Sequence, residues 1–144
     1  MIRTEDVEYI RSVFTHPKVY PYISDDSSPP AESFEPVIRP DVHYIRPEDG
    51  GACFMYHPHS SVMWEVHSAV LPEFRSRSHE FASGSVRWMA ENTKAKCLIT
   101  HVPAGNDAAM RLALSVGFLL VGIVPKSYLK SGVLLDQALL SMEL

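Results

Sequence analysis

Glu65 and His67 alternate within the apolar run 62–70 and are the strongest candidates for proton transfer. On an extended strand they share one face, about 6.7 Å apart, and a carboxylate beside an imidazole is a pairing that general acid–base chemistry uses. They also read as a polar pair at the rim of a strand face, where a covered carboxylate would need a partner. His57 and His59 flank Pro58 and, with His67, raise metal ligation. No Asp, Glu or Cys completes a compact ligand set at recognised spacing, so no metal site is expected and they read as turn histidines. Arg75 and Arg77 precede a helical pattern, where backbone N–H groups and cations together attract an anion; singly, each reads as a solvated loop arginine. Cys53 and Cys97 sit in apolar runs without C-x-x-C spacing and read as reduced core thiols, not nucleophiles.

The elements that must position these groups follow from periodicity and punctuation. Eight of the eleven prolines fall between Pro17 and Pro58, so the portion from about 15 to 50 should be irregular and the remainder regular. Before it, Thr4 suits an N-cap, and Val7, Ile10 and Phe14 form the stripe of a short helix ending before Pro17. Strands are expected over 42–45, 51–56 and 62–70, the last two joined as a hairpin around 57–61. Phe81, Ala82, Val86, Met89 and Ala90 mark a helix, 97–102 a strand, and 106–116 a second helix stopped by Gly117. Strands over 118–124 and 134–142 complete the chain. Helix, three strands, helix, strand, helix and two strands predict an α/β (α+β) fold, a mixed sheet with helices packed on it.

Length and composition narrow the classes. The 144 residues suit one domain, 1–144, and can bury a core without disulfide or metal staples. A formal charge of -4 argues against a broad face for nucleic acid. No apolar run approaches the roughly 20 residues that span a bilayer, and the polar opening lacks a secretion signal. A cytoplasmic protein without membrane partners is expected.

The segment 106–118 then carries a resemblance. Asn106, Ala109, Leu112, Gly117 and Phe118 resemble the late motif N-x-x-A-x-x-L-Y-x-x-x-G-F of the GNAT superfamily of acyl-coenzyme A-dependent N-acyltransferases. Ala113 stands where that motif has tyrosine. The segment 66–80 is similar to the family's strand and pyrophosphate loop, Q/R-x-x-G-x-G/A. Arg75 matches its first position, while Ser78 and Glu80 replace glycines. Physically, Asn106 can cap the helix or bond a ligand amide, and Gly117 permits a left-handed stop.

The resemblance implies a GNAT-like, mostly antiparallel sheet flanked by helices and a cleft for acetyl-CoA or CoA between the strand ending at Val70 and the strand 97–102. Backbone groups at Ala69 and Val70 would hold the pantetheine and thioester. Arg75, Arg77, Ser78 and His79 would meet the phosphates, and Asn106 the cofactor arm. Glu65 or His67 would deprotonate a primary amine on a small molecule or a protein. With no tyrosine at 113, Tyr128 is the nearest downstream phenol, Lys130 and Gly132 suggest that it lies in a mobile loop, and Ser68 or water could substitute. Ala113 and Glu80 also support an alternative, a catalytically degenerate GNAT-fold protein with a structural or assembly role. The stretch 15–29 is loosely similar to small GNAT-like proteins of tailed bacteriophages, which extends that alternative to head morphogenesis. Partners implied are an amine acceptor, a second copy in a homodimer, or phage structural proteins.

Overall fold

The computed structural model describes residues 1–144. Strand β1 (Ile2–Thr4) leads to helices α1 (Val7–Phe14) and α2 (Tyr20–Ile23), then to β2 (His43–Arg46), β3 (Ala52–Pro58) and β4 (Met63–Val70). A 3-10 turn (Pro72–Arg77) enters helix α3 (Ser78–Asn92), followed by β5 (Cys97–Pro103), α4 (Asp107–Val116), β6 (Leu119–Lys130) and β7 (Val133–Glu143). The seven strands form one sheet in the order β1-β2-β3-β4-β5-β7-β6. Every neighbouring pair is antiparallel except β4 and β5, whose parallel course requires the α3 crossover. The expected mixed, mostly antiparallel sheet flanked by helices is what the chain builds. No helix is long and apolar enough to cross a membrane.

Strand alternation sorts the side chains onto two cores. On β3, Phe54 and Tyr56 face the cluster that includes Phe81 and Met89 of α3. Cys53 on the same strand faces Ile10, Val13 and Phe14 of α1, as does Ala69 of β4. Phe54, Tyr56, Phe81 and Met89 are essentially fully buried, and burial of each large apolar side chain is worth about 1.5–3 kcal/mol. Burial pushes the Cys53 thiol up to about 12, consistent with an inert core thiol.

Local details depart from the sequence expectations at the ends. Thr4 belongs to β1, and Asp6 caps α1 by accepting from the Tyr9 amide at 3.0 Å. The brief strand pairs with β2, and three residues of pattern were too few to announce it. Helix α2 forms within the proline-rich portion because Pro21 sits in its first turn, where a missing N–H costs nothing. The last two strands run longer than expected, meeting at a two-residue turn in which Ser131 and Gly132 both have positive φ. Tyr128 therefore lies in β6 and not in a mobile loop.

That hairpin anchors the irregular portion. The Asp26 carboxylate accepts the Ser131 and Gly132 amides at 2.7 and 2.8 Å. The Ser24 carbonyl accepts from the Tyr128 hydroxyl and the Lys130 ammonium at 2.7 and 2.6 Å.

His43 lies between Trp64, stacked at 4.9 Å, and the edge of Trp88. Burial, and then the nearby charge of Arg3, hold its pKa below the ordinary 6.5, against a smaller opposing pull from Asp41. The unfolded chain therefore takes up this proton first. The contribution is complete above about 6.5 and is lost as pH falls through the lower folded value. Thermal melts between pH 7 and 5 should show a falling Tm, and His43→Phe should remove part of that fall; an unchanged slope would contradict the assignment.

Candidate active site

Strands β4 and β5 are joined by three ladder pairs, from Met63↔Cys97 to Glu65↔Ile99. Beyond Glu65 they part, because β4 stays paired to β3 as far as Val70 while β5 follows β7 over its whole length. Across the opening Thr100 Oγ1 donates to the Val66 carbonyl at 3.1 Å. A cavity of about 410 Å³ fills the fork. Val66, His67 and Ser68 of β4 and Thr100, His101 and Val102 of β5 line it. Ala82 of α3 and Ala113 of α4 close one side, while Tyr22, Ile23, Asp25 and Tyr128 supply the other. The cavity thus reaches both faces of the sheet.

Glu65 sits at the fork with its side chain only 9% exposed. His59 Nε2 and His101 Nδ1 donate to its two oxygens, each at 2.7 Å. His57 and His67 stand farther out, with Nε2 atoms 3.7 and 3.8 Å from the carboxylate and 3.1 Å from each other. Burial pushes the Glu65 carboxyl up, but the bonds from His101 and His59 and the charges of His67 and His101 outweigh it. The result lies below the usual carboxylate value. For His57 and His67, burial dominates the attraction of Glu65 and lowers both below the ordinary imidazole value. The carboxylate is therefore ionised and satisfied, which answers the cost of burying it.

His101 uses Nδ1 for Glu65, and its Nε2 has no hydrogen bond within the chain. An imidazole held at one nitrogen by a carboxylate, with the other free in a cavity, can accept a proton and have the resulting charge stabilised. His101 is not singled out in the sequence, and His59 reads there only as a turn histidine, because their shared partner is 36 and 6 positions away. Strand alternation already placed Glu65 and His67 on one face, but the parallel register that brings β5 alongside has no local sequence signal.

The other expected residues fall in three places. Asn106 lines the cavity and caps α4, its Oδ1 accepting from the Ala109 amide at 3.2 Å. Ala69 and Val70 lie farther along β4 than the lining residues, Ala69 buried against the α1 cluster. Arg75, Arg77, Ser78 and His79 stand at the start of α3, outside the cavity wall. There Arg75 donates to the Lys18 carbonyl at 3.0 Å, Ser78 to the Arg75 carbonyl, and His79 pairs with Ser115 of α4. Arg77 is clamped by both oxygens of Glu80 at 2.7 and 3.0 Å and by Asp49 at 2.7 Å. Glu80 is thus turned onto Arg77 and exposed to solvent rather than folded over the helix terminus. Ala113 is part of the cavity wall.

No protein-family model matches the chain. It is 29% identical over 118 residues to the N-alpha-acetyltransferase RimI of Mycobacterium tuberculosis, covering 77% of this chain and 73% of that protein. The structure of ribosomal-protein-S5-alanine acetyltransferase from Vibrio fischeri superposes with a TM-score of 0.76 at 13% identity, over 99% of this chain and 90% of that one. The structure of yncA from Salmonella typhimurium, solved with its cofactor acetyl-CoA, gives 0.58 at 18% identity, over 65% of this chain. This chain spans 57% of the length of yncA. The architecture is the GNAT fold.

The cap is a separable property of Asn106. Asn106→Ala should cost about 1 kcal/mol through the lost bond to the helix N-terminus. Chemical denaturation measures it, and an unchanged midpoint would show that the side chain has no structural share.

Proposed function

We propose that the chain is an N-acyltransferase that moves an acetyl group from acetyl-CoA to a primary amine. The observation that carries this reading is the buried Glu65 carboxylate, set at the fork of β4 and β5 in a cavity reaching both faces of the sheet. Acceptor and donor can therefore enter from opposite sides and meet beside it. The lining holds two carboxylates, Asp25 and Glu65, and no lysine or arginine, which suits an ammonium group. The names of the mycobacterial and Vibrio relatives describe acetylation of amines in those proteins.

The donor fits the fork better than it fits the start of α3. The edge of β4 from Val66 to Ser68 is released from the ladder with β5 and would hold the thioester arm, with the free amide nitrogen of Asn106 beside it. The first-turn N–H groups of α3 and Arg75 would meet the phosphates, whereas Arg77 is already neutralised by Asp49 and Glu80. When bound, acetyl-CoA supplies the activated carbonyl, and the amine nitrogen replaces sulfur on it.

Glu65 orients His101 through Nδ1, and Nε2 takes the proton from the ammonium. Glu65 then stabilises the imidazolium, and His67 extends the polar wall. The departing sulfur needs a proton, and alanine at 113 cannot give one. Tyr128, a phenol of the cavity wall whose hydroxyl rests on the Ser24 carbonyl, takes that role.

A second reading, a catalytically degenerate scaffold with a structural or assembly role, is favoured by the double clamp on Arg77 and the missing phenol at 113. A role in assembly, including that of phage heads, belongs to this reading.

Thermal melts and thiol-release assays separate the two. Acetyl-CoA at about 1 mM, the upper end of ordinary KM values, should raise Tm and support transfer to amines. Glu65→Gln and His101→Ala should each lower kcat about 10²–10⁴-fold while keeping the donor-induced shift. A Tm unmoved by the donor, with no thiol released, would overturn the transferase reading in favour of the second.

A further inference from the structure

The histidines around Glu65 outnumber what proton transfer through His101 requires. His57 and Glu65 are directly opposite across the β3–β4 ladder, and His67 is two residues farther along β4. All three side chains therefore leave the same face of two strands paired over seven positions. The His57 and His67 rings stack with centroids 5.2 Å apart and planes 16° from parallel, and their Nε2 atoms converge to 3.1 Å. The ligand atoms of His57, Glu65 and His67 all lie within 4.8 Å of one another. Linear spacing conceals this set, because two ligands come from one strand and the third from its partner.

We infer that His57, Glu65 and His67 form a binding site for a divalent transition-metal ion of the zinc class. Around a tetrahedral ion with bonds of 2.0–2.1 Å, ligand atoms stand about 3.3 Å apart. The two nitrogens are 3.1 Å apart, and the carboxylate oxygens lie 3.7 and 3.8 Å from them. Rotation of the carboxylate brings one oxygen inward toward both nitrogens, from separations no longer than 4.8 Å. Two imidazoles and a carboxylate suit Zn²⁺, Co²⁺ or Ni²⁺ and disfavour Mg²⁺ and Ca²⁺, which seek all-oxygen shells. His101 and His59, already bonded to the carboxylate oxygens, orient Glu65 as outer partners orient metal ligands. His57 and His67 are 32% and 42% exposed, which provides an entry path. Glu65 and His67 also line the cavity, which leaves room for a fourth ligand.

Occupancy takes up the negative charge of Glu65 that would stabilise the His101 imidazolium, so the ion inhibits acetyl transfer; this consequence, unlike the binding itself, rests on the function proposed above. The test uses the untagged full chain stripped with EDTA. Co²⁺ should give the visible bands of a four-coordinate ion, and calorimetry should show one Zn²⁺ bound per chain and no heat from Mg²⁺. His57→Asn and His67→Asn should each weaken Zn²⁺ binding by more than about 10-fold, with circular dichroism confirming that both fold, while His16→Asn should leave it unchanged. Absence of the cobalt bands, or binding indifferent to His57→Asn and His67→Asn, overturns the site. Zn²⁺ should inhibit transfer over the same concentration range in which it binds. If Zn²⁺ binds as described but the stripped chain never transfers acetyl, the site stands and the transferase reading falls.

Discussion

A parallel pair of strands that separates after three ladder pairs imposes the rest of this molecule's design. From Val66 onward, β4 has ladder partners on its β3 side only, and from Thr100 onward, β5 has them on its β7 side only. Backbone N–H and C=O groups facing the fork must find solvent, side chains or a ligand. Thr100 answers one of them by donating to the Val66 carbonyl. The remaining edge is a polar slot in the middle of an otherwise continuous sheet. Such a slot persists because β3 and β7 hold the two strands on diverging courses, each over seven pairs.

Placing a carboxylate at the base of the fork would be costly without partners. Loss of one hydrogen bond to a buried charged group costs more than loss of a neutral one, and Glu65 receives two charge-assisted bonds, from His59 and His101. These arrive from the β3–β4 turn and from β5, so the carboxylate also ties the fork's two sides together. The same atoms thereby serve stability and chemistry. An imidazole pinned by a carboxylate, with its second nitrogen free, is arranged for proton transfer, while the outer pair His57 and His67 converges for a cation. The two uses compete for Glu65.

The proline-rich portion completes the cavity by attachment rather than by regular structure. Ser24 and Asp26 are held by Tyr128, Lys130 and the turn amides of the β6–β7 hairpin. Tyr22, Ile23 and Asp25 are thereby set as a wall opposite α3 and α4. The outer edge of β6 stays exposed, with Leu119, Val121 and Ile123 among its apolar side chains.

Much of the architecture was legible locally. Periodicity and turn residues announced α1, α3, α4 and the order of the longer strands, and Asn106 and Gly117 marked the ends of α4 where the structure places the cap and the left-handed stop. Alternation placed Glu65 and His67 on one face, since a strand's period of two is a local property. Beyond reach were β1, too short to carry a pattern, and the extension of β6 through Tyr128. The convergence of His57, His59 and His101 on Glu65 was also beyond reach. It depends on the antiparallel register of β3 with β4 and the parallel register of β5 with β4. Register is a balance of side-chain packing across strands far apart in the chain, so only the assembled sheet decided which imidazoles a single carboxylate would meet.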